Sequence, residues 1–442
     1  HGEIYNHLQI RKYLNELLNF SIMWDGNSDT ETILKCIDIL GIKKSLNLFE
    51  GMFAFALYDK INKQLYLARD RIGEKPLYFY FKNNELIFGS EISIFKCIKD
   101  FNLQIDTTSI SNFIQTGYIA APNSIFKDVK KIKPGTYIVL SNNFNNFFEE
   151  NYWSLKDTTK KINNEKISYI EIRKKTKKLL EDKIKQTMIS DVQIGSFLSG
   201  GIDSSLVTSI MNKFSSTKIK TFTVGFDDKN FDESVQANKV SSYLGTEHFN
   251  YRASNKDILN LVSNIHNVYQ EPFADSSQLP TYLIAKLMHK EAKVILSGDG
   301  GDELFAGYKR YIFFNKINKI ANFIPNNIKK HIYRLYQSQS FEFLNNYLFN
   351  RNFGDKFSKL LNYITASNEQ ELYKKFVSVW EDCSNICNLK NKNLNFKYLE
   401  NNNLISFEEK MMYNDQLTYL PDDILCKVDR ATMANSIESR AP

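Results

Sequence analysis

Ser199-Gly200-Gly201-Ile202-Asp203-Ser204-Ser205 sets two glycines and three hydroxyls around one carboxylate, between a short apolar run, Ile194 to Leu198, and a helical pattern, Ile202 to Phe214. Glycines let a backbone approach an anion closely, exposed N–H groups and the positive helix end stabilise it, and serine hydroxyls add donors. The chemistry is phosphate binding. Asp203 adds a hard carboxylate oxygen of the kind Mg2+ prefers. The loop lacks Gly-x-x-x-x-Gly-Lys-Ser/Thr, which disfavours γ-phosphate transfer on a Walker-type loop. A single glycine turn can be merely structural. A second junction, Val294 to Leu296 followed by Ser297-Gly298-Asp299-Gly300-Gly301-Asp302-Glu303, repeats the design. Acidic residues at a helix start favour its dipole by about 0.3–1 kcal/mol each. That accounts for Asp299, Asp302 and Glu303 but not for the paired glycines. In open α/β sheets ligands bind beyond the carboxyl ends of strands, so both turns are expected to face one crevice.

The elements around these turns alternate short strands with amphipathic helices: Ile194 to Leu198, Ile202 to Phe214, Ile219 to Phe226. This predicts a parallel sheet with helices on both faces, and an inner face of Ile202, Leu206, Val207, Ile210 and Met211 on the helix after the first turn. The N-terminal third reads differently. Met52 to Tyr58 and Gln64 to Ala68 form one hairpin; Leu77 to Phe81 and Glu85 to Phe88 flank Asn83-Asn84 and form a second. Ser28-Asp29-Thr30-Glu31 has capping-box spacing, ahead of a helix that carries Ile33, Leu34, Ile37 and Leu40 and stops at Gly41. Between about Ser141 and Lys166 the Asn-, Phe-, Lys- and Glu-rich composition suits a domain connection. From Tyr311 to about Phe407 the apolar spacing is helical. No internal repeat is visible.

At 442 residues the chain exceeds one ordinary core, and roughly 150 residues per domain gives about two or three. A hydrophobic fraction of 43% with 24% charged residues excludes the disordered and collagen-like classes. Lys plus Arg outnumber Asp plus Glu by 57 to 50, a net +7, which suits small phosphates and falls short of a concentrated nucleic-acid surface. The five cysteines, Cys36, Cys97, Cys383, Cys387 and Cys426, are odd in number and scattered, against a disulfide framework and for a reducing, cytoplasmic setting. Cys383 and Cys387 lack partners at zinc-site spacing, so no metal is assigned there. No apolar run reaches the roughly 20 residues that span a bilayer, and no secretory leader is visible at His1-Gly2-Glu3. The start without Met and the end at Ser439-Arg440-Ala441-Pro442 read as those of a piece of a longer chain.

Ser199 to Ser205 resembles the pyrophosphate loop of the ATP pyrophosphatase superfamily, and the whole chain resembles the glutamine-hydrolysing asparagine synthetase family. Gly2 to His7, Ser28 to Glu31, Gly51 to Asp59, Ala68 to Tyr78 and Phe88-Gly89-Ser90-Glu91 are similar to that family's glutaminase domain. Glu271-Pro272-Phe273-Ala274-Asp275-Ser276-Ser277, Ser297 to Tyr308, and Leu420 through Arg440 are similar to its synthetase domain. The resemblance implies two domains of α/β and α+β class. Residues 1–145 would form a truncated αββα glutaminase of the Ntn-hydrolase type (class II amidotransferase), and residues 165–442 an α/β PP-loop synthetase domain with helical additions. It implies ammonia made from glutamine and passed through an internal tunnel, activation of the aspartate side chain by ATP as an acyl-adenylate, and displacement of AMP by ammonia.

The site roles follow from the same resemblance. Ser199, Gly200, Gly201, Ser204 and Ser205 would hold pyrophosphate, Asp203 and Asp302 would coordinate Mg2+, and Asp299 would assist proton removal, standing as a shorter acid where relatives carry an acidic residue. Phe197, Val224, Ser297 and Gly298 match nucleotide-pocket positions; Lys427 and Arg430 lie in a segment near the site. Gly2, Glu3 and Asp29 match residues that bind glutamine, the last also readable as a plain helix cap. The family's nucleophile is an N-terminal cysteine whose α-amino group serves as base. No cysteine lies near residue 1, so the chain as written is expected not to hydrolyse glutamine. His1 stands where the family usually has Asn in the oxyanion hole, and the family's further C-terminal helices lie beyond Pro442. The partners implied are aspartate, glutamine or ammonia, and ATP; nucleic acid and membrane are not expected, and a homodimer is left open. Amidation of another carboxylate, such as a sugar acid, keeps the same chemistry. An RNA-modifying relative lacks this N-terminal domain, and a non-catalytic scaffold would not need an Mg2+-ready loop.

Overall fold

The computed structural model describes residues 1–98, 103–141, 147–160, 167–228, 232–325, 327–329, 331, 334, 359–380 and 406–442. They form two compact units: residues 1–109, 118–300 and 417–442 in one, 110–117 and 301–416 in the other. Cys383 and Cys387 lie outside the described residues.

In the first unit, β1 (Gly2–Ile4), β2 (Gly51–Asp59), β3 (Gln64–Arg69), β4 (Tyr78–Lys82), β5 (Glu85–Gly89), β6 (Val129–Lys131), β7 (Thr136–Leu140) and β8 (Phe147–Asn151) make two antiparallel sheets. Their orders are β1-β2-β3-β7-β8 and β5-β4-β6. Both expected hairpins are present, β2 with β3 and β4 with β5. Asn83 and Asn84 take φ values of 52° and 61°, the left-handed pair a two-residue hairpin turn requires. The two-residue period of a strand sends neighbours to opposite faces. Phe53 and Tyr137 pack with Leu14, Cys36 and Phe49 against the helices His7–Leu18 and Asp29–Leu40, while Ala54 and Ile138 pack with Leu77 and Phe79 of the second sheet's side. Helices therefore cover one face of the larger sheet and a second sheet covers the other.

The remaining strands, β9 (Ile194–Phe197), β10 (Lys220–Phe226), β11 (Glu247–Ala253), β12 (Val294–Leu296) and β13 (Glu438–Arg440), form the predicted parallel sheet in the order β11-β10-β9-β12-β13. Ile184, Val207, Ile210, Met211 and Leu296 fill one side of it, and Phe222, Ile284, Met288 and Ile295 the other.

Three expectations are corrected. Ile202 is 86% exposed and Leu206 43%, so only Val207, Ile210 and Met211 face the core. At the first turn, solvent access to the helix end prevails over amphipathic spacing. Ser28 does cap its helix, accepting from Thr30 N, but the Glu31 carboxylate turns back to Asp25 N and Gly26 N, so the reciprocal box is not made. The stretch expected as a connection contains β8, paired along β7, and a short helix, Leu155–Lys160.

In the second unit the described parts of the stretch expected to be helical include Lys309–Phe323 and Glu369–Val377, the rest of it lying largely outside the described residues; the helix Phe407–Leu417 follows, and Phe314, Leu372, Phe407 and Met411 share one core. Asp415 is buried there and held by Arg310 Nη2 at 2.7 Å and by the hydroxyls of Tyr311 and Tyr373 at 2.5 Å each. Among the described residues, no helix is long and apolar enough to cross a membrane.

Candidate functional site

The sheet order reverses between β9 and β12: from β9 the chain steps outward to β10 and β11, then returns to lay β12 on β9's other side. Loops leaving the carboxyl ends of two such strands diverge and open a crevice between them. Both glycine turns emerge at that point. They pack on one another so closely that a Cβ on Gly298 would lie 2.8 Å from Ser204 N and 3.1 Å from Asp203 Cβ. Gly200 has φ +81°, and a Cβ there would lie 2.7 Å from Ala237 N. The first glycine thus supplies a left-handed turn and a close backbone approach together.

A cavity of about 350 Å3 opens beside the two turns. Phe197, Ser199, Gly201, Asp203, Ser204, Val224, Ser297, Gly298 and Asp299 line it, as does Lys427. Gly200 and Ser205 belong to the same loop but not to the lining. The loop is internally bonded: the Ser199 and Ser204 hydroxyls are 3.0 Å apart, and Gly201 N donates to Ser199 Oγ at 3.2 Å. Among the described residues, the buried Ser205 Oγ has no hydrogen-bond partner and the Asp203 carboxylate none either. Asp302 opens the helix Gly301–Phe305 of the second unit.

Burial pushes the Asp299 carboxyl above the usual carboxylate range, partly offset by Lys427 and by a hydrogen bond from Ser297. Lys427 is itself clamped, with Nζ 2.9 Å from Asp275 Oδ2 and 2.8 Å from Ser277 Oγ. Burial opposes its charge, but Asp275 and Asp299 raise its pKa overall. Arg430, one helical turn further on, points elsewhere: it donates to the Ser90 carbonyl at 2.8 Å and lies over the Tyr78 ring. Sequence reasoning singled out neither the Asp275 clamp nor Glu233, which also lines the cavity. Asp275 lies in a quoted motif and could have been paired with a nearby cation; Glu233 follows β10 with no motif to mark it.

The N-terminal candidates also converge. Gly2 has φ +118°, and a Cβ on it would collide with the Met52 carbonyl across β1 and β2. Asp29 Oδ2 accepts from Ile4 N at 2.9 Å, which brings it beside Glu3. Burial, with Asp29 and Glu438 adding to it, pushes Glu3 up to about 7 against the opposing pull of Arg440. Arg440 had no assigned role from sequence. Its side chain reaches the carbonyls of Thr187 and Ile189 at 2.8 and 2.7 Å and stands 3.9 Å from Glu3, while its own carbonyl accepts from Ser297 N at 3.1 Å.

Within the first unit a seam joins the antiparallel part to the parallel sheet. Lys75 Nζ lies 2.7 Å from Asp429 Oδ1, both almost wholly out of solvent. Glu271 accepts from the Tyr78 hydroxyl at 2.8 Å and Ile125 N at 2.7 Å and pairs with Lys131 at 3.1 Å. A cavity of about 20 Å3, room for one water-sized molecule, lies in this seam beside Tyr78, Lys131, Asp422, Cys426 and Arg430.

Residues 175–442 match the Asparagine synthase family and residues 1–153 the Glutamine amidotransferase domain family. A putative glutamine-hydrolyzing asparagine synthetase of Methanocaldococcus jannaschii is 35% identical over 314 residues, covering 70% of this chain and 58% of that protein. A glutamine-hydrolyzing asparagine synthetase of Bacillus subtilis is 29% identical over 448 residues, covering 100% of this chain and 67% of that one. The chain thus spans about three fifths to two thirds of the length of these relatives. Among solved structures, an NH3-dependent NAD synthetase from Campylobacter jejuni covers 52% of this chain and 99% of its own at 15% identity, with a TM-score of 0.24, too loose a superposition to carry an argument. With family matches over both segments and an alignment to a named relative that covers all of this chain, the chain belongs to the asparagine synthase family.

Proposed function

We propose that the cavity at the β9/β12 switch point binds ATP and that the protein amidates aspartate to asparagine, releasing AMP and pyrophosphate. The observation that carries this is the meeting of two glycine turns, one with Ser199, Ser204 and Asp203, the other with Ser297 and Asp299, around one cavity. Attack of the aspartate side-chain carboxylate on the α-phosphorus expels pyrophosphate. The charge that gathers on the leaving group is proposed to meet the helix N-terminus, the loop N–H groups and the Ser199 and Ser204 hydroxyls that line the cavity, with Ser205, which does not line it, supporting the loop from behind. Asp203, a hard-oxygen donor facing the cavity, fits Mg2+. When bound, that ion would neutralise charge on the pyrophosphate oxygens.

Ammonia then attacks the acyl carbon, AMP leaves, and a proton departs from the new C–N bond. Asp299 in its ionised form accepts it; the raised pKa set by burial makes it a better base than an exposed carboxylate. Phe197 and Val224 are proposed to hold the base. Residues 1–145 are proposed to belong to a glutaminase of Ntn-hydrolase type, binding glutamine through Gly2, Glu3 and Asp29 but carrying no N-terminal cysteine nucleophile themselves, and residues 165–442 to act as the synthetase. The experiment is pyrophosphate release from Mg-ATP and ammonium, with and without aspartate, with asparagine assayed in the same tube. Aspartate-dependent pyrophosphate in step with asparagine is expected; release dependent on a different acid would overturn the choice of acceptor.

A further inference from the structure

Glu233 lies where two parts of the nucleotide cavity meet. It caps the helix Ser234–Leu244, which follows β10. On one side, a Cβ on Gly225 of β10 would lie 3.0 Å from Asp232 Oδ1 and from Ser234, so the turn sits directly on the strand that carries Val224. On the other side the same first helical turn touches the phosphate loop, through Gln236 and Ala237 against Gly200. The backbone of Glu233 is fixed, its carbonyl accepting from Gln236 N at 3.1 Å and Ala237 N at 3.0 Å, with Asp232 Oδ1 accepting from Ser234 N at 3.0 Å. Its side chain is not. Among the described residues the carboxylate has no hydrogen-bond or ion-pair partner, though it lines the cavity. Although the residue is exposed, partial desolvation of the carboxyl raises its pKa, with no cation opposing.

The cavity wall is apolar at Phe197, Phe222, Val224, Phe226 and Ile284 and polar at the Ser199–Ser204 loop. A nucleotide with its base on the first and its phosphates on the second must set its sugar between them, beside the 232–234 turn. A carboxylate is poorly placed to meet phosphates of its own sign. It is an acceptor-only group with two oxygens, matched to the two hydroxyl donors of a ribose. We infer that Glu233 holds the ribose hydroxyls and makes the site select ribonucleotides over deoxyribonucleotides. This rests on the nucleotide reading of the cavity.

Equilibrium binding of Mg-ATP, Mg-2′-deoxy-ATP and Mg-3′-deoxy-ATP to the full chain tests it, with E233A and E233Q alongside. The wild type is expected to prefer ATP over at least one deoxy analogue by roughly tenfold, the size of a hydrogen bond to a charged group. E233A should erase that preference by weakening ATP alone, and E233Q, which keeps one acceptor oxygen, should fall between. Equal affinity for all three nucleotides in the wild type, or a preference that survives in E233A, overturns the inference while leaving the nucleotide site standing. No ATP binding by the wild type overturns both.

Discussion

Lys75 and Asp429 meet at 2.7 Å inside the seam, while Asp203 and Glu233 face the cavity with no protein partner among the described residues. Both regions concentrate charge, but the seam answers each group from within the chain and the cavity leaves groups to be answered by something else. A buried ion pair contributes little net stability and chiefly fixes how two surfaces register. An unanswered carboxylate in an open cavity is a group poised for a ligand. The contrast separates groups matched within the chain from groups left open to a ligand.

The largest effect should come from breaking the seam. Lys75→Met leaves Asp429 buried without its partner and should cost about 3–5 kcal/mol, read by denaturant unfolding. The double variant Lys75→Met, Asp429→Leu should regain most of that loss; if it stays as unstable as the single variant, the pair is not the source. Next is Glu74, which accepts from Ala441 N at 3.2 Å and which burial pushes up to about 8. A folded pKa above the unfolded value of 4.5 means that this group's contribution is fully present below about 4.5 and is lost as pH rises to about 8. Glu74→Gln keeps the acceptor and removes the titration, so at pH 8 the variant should exceed the wild type by up to about 4 kcal/mol, with no such excess at pH 4.5. Unfolding curves at the two pH values decide it, and equal gaps would refute the assignment. The smallest effect on stability belongs to the cavity. Gly200→Ala forces a side chain into φ +81° against Ala237 and should cost about 1–3 kcal/mol. Its ATP affinity should fall far more than its stability, whereas Lys75→Met should show the reverse ranking.

Local chemistry was the legible part of the sequence. Asn83-Asn84 announces its turn because two residues with positive φ suffice to make it, and each glycine turn holds one glycine at positive φ, Gly200 and Gly300. The outward-facing Ile202 was misread because spacing alone does not say which end of a helix a site leaves open. β8 was missed because the sequence Phe147–Asn151 takes its strand identity from β7 beside it. Lys427 and Arg430 show the limit most plainly. They sit three residues apart on one helix, yet one is clamped at the cavity and the other is drawn to Ser90 and Tyr78. Glu233 and Arg440 owe their places to the pairing of strands far apart in sequence, and a linear motif carries no record of that.

The hydrogen bond from Ser297 N to the Arg440 carbonyl ties the cavity rim to a strand pairing that spans a long stretch of chain. Strand β13 joins the sheet beside β12 only after all of the intervening chain exists, and pairing across so long a loop is intrinsically slow. Hairpins and helices rest on local contacts, so the cavity rim at Ser297 is expected to form after them, with the pairing of β12 and β13. Nucleotide binding should therefore be among the final properties a refolding chain recovers, well after its helical signal.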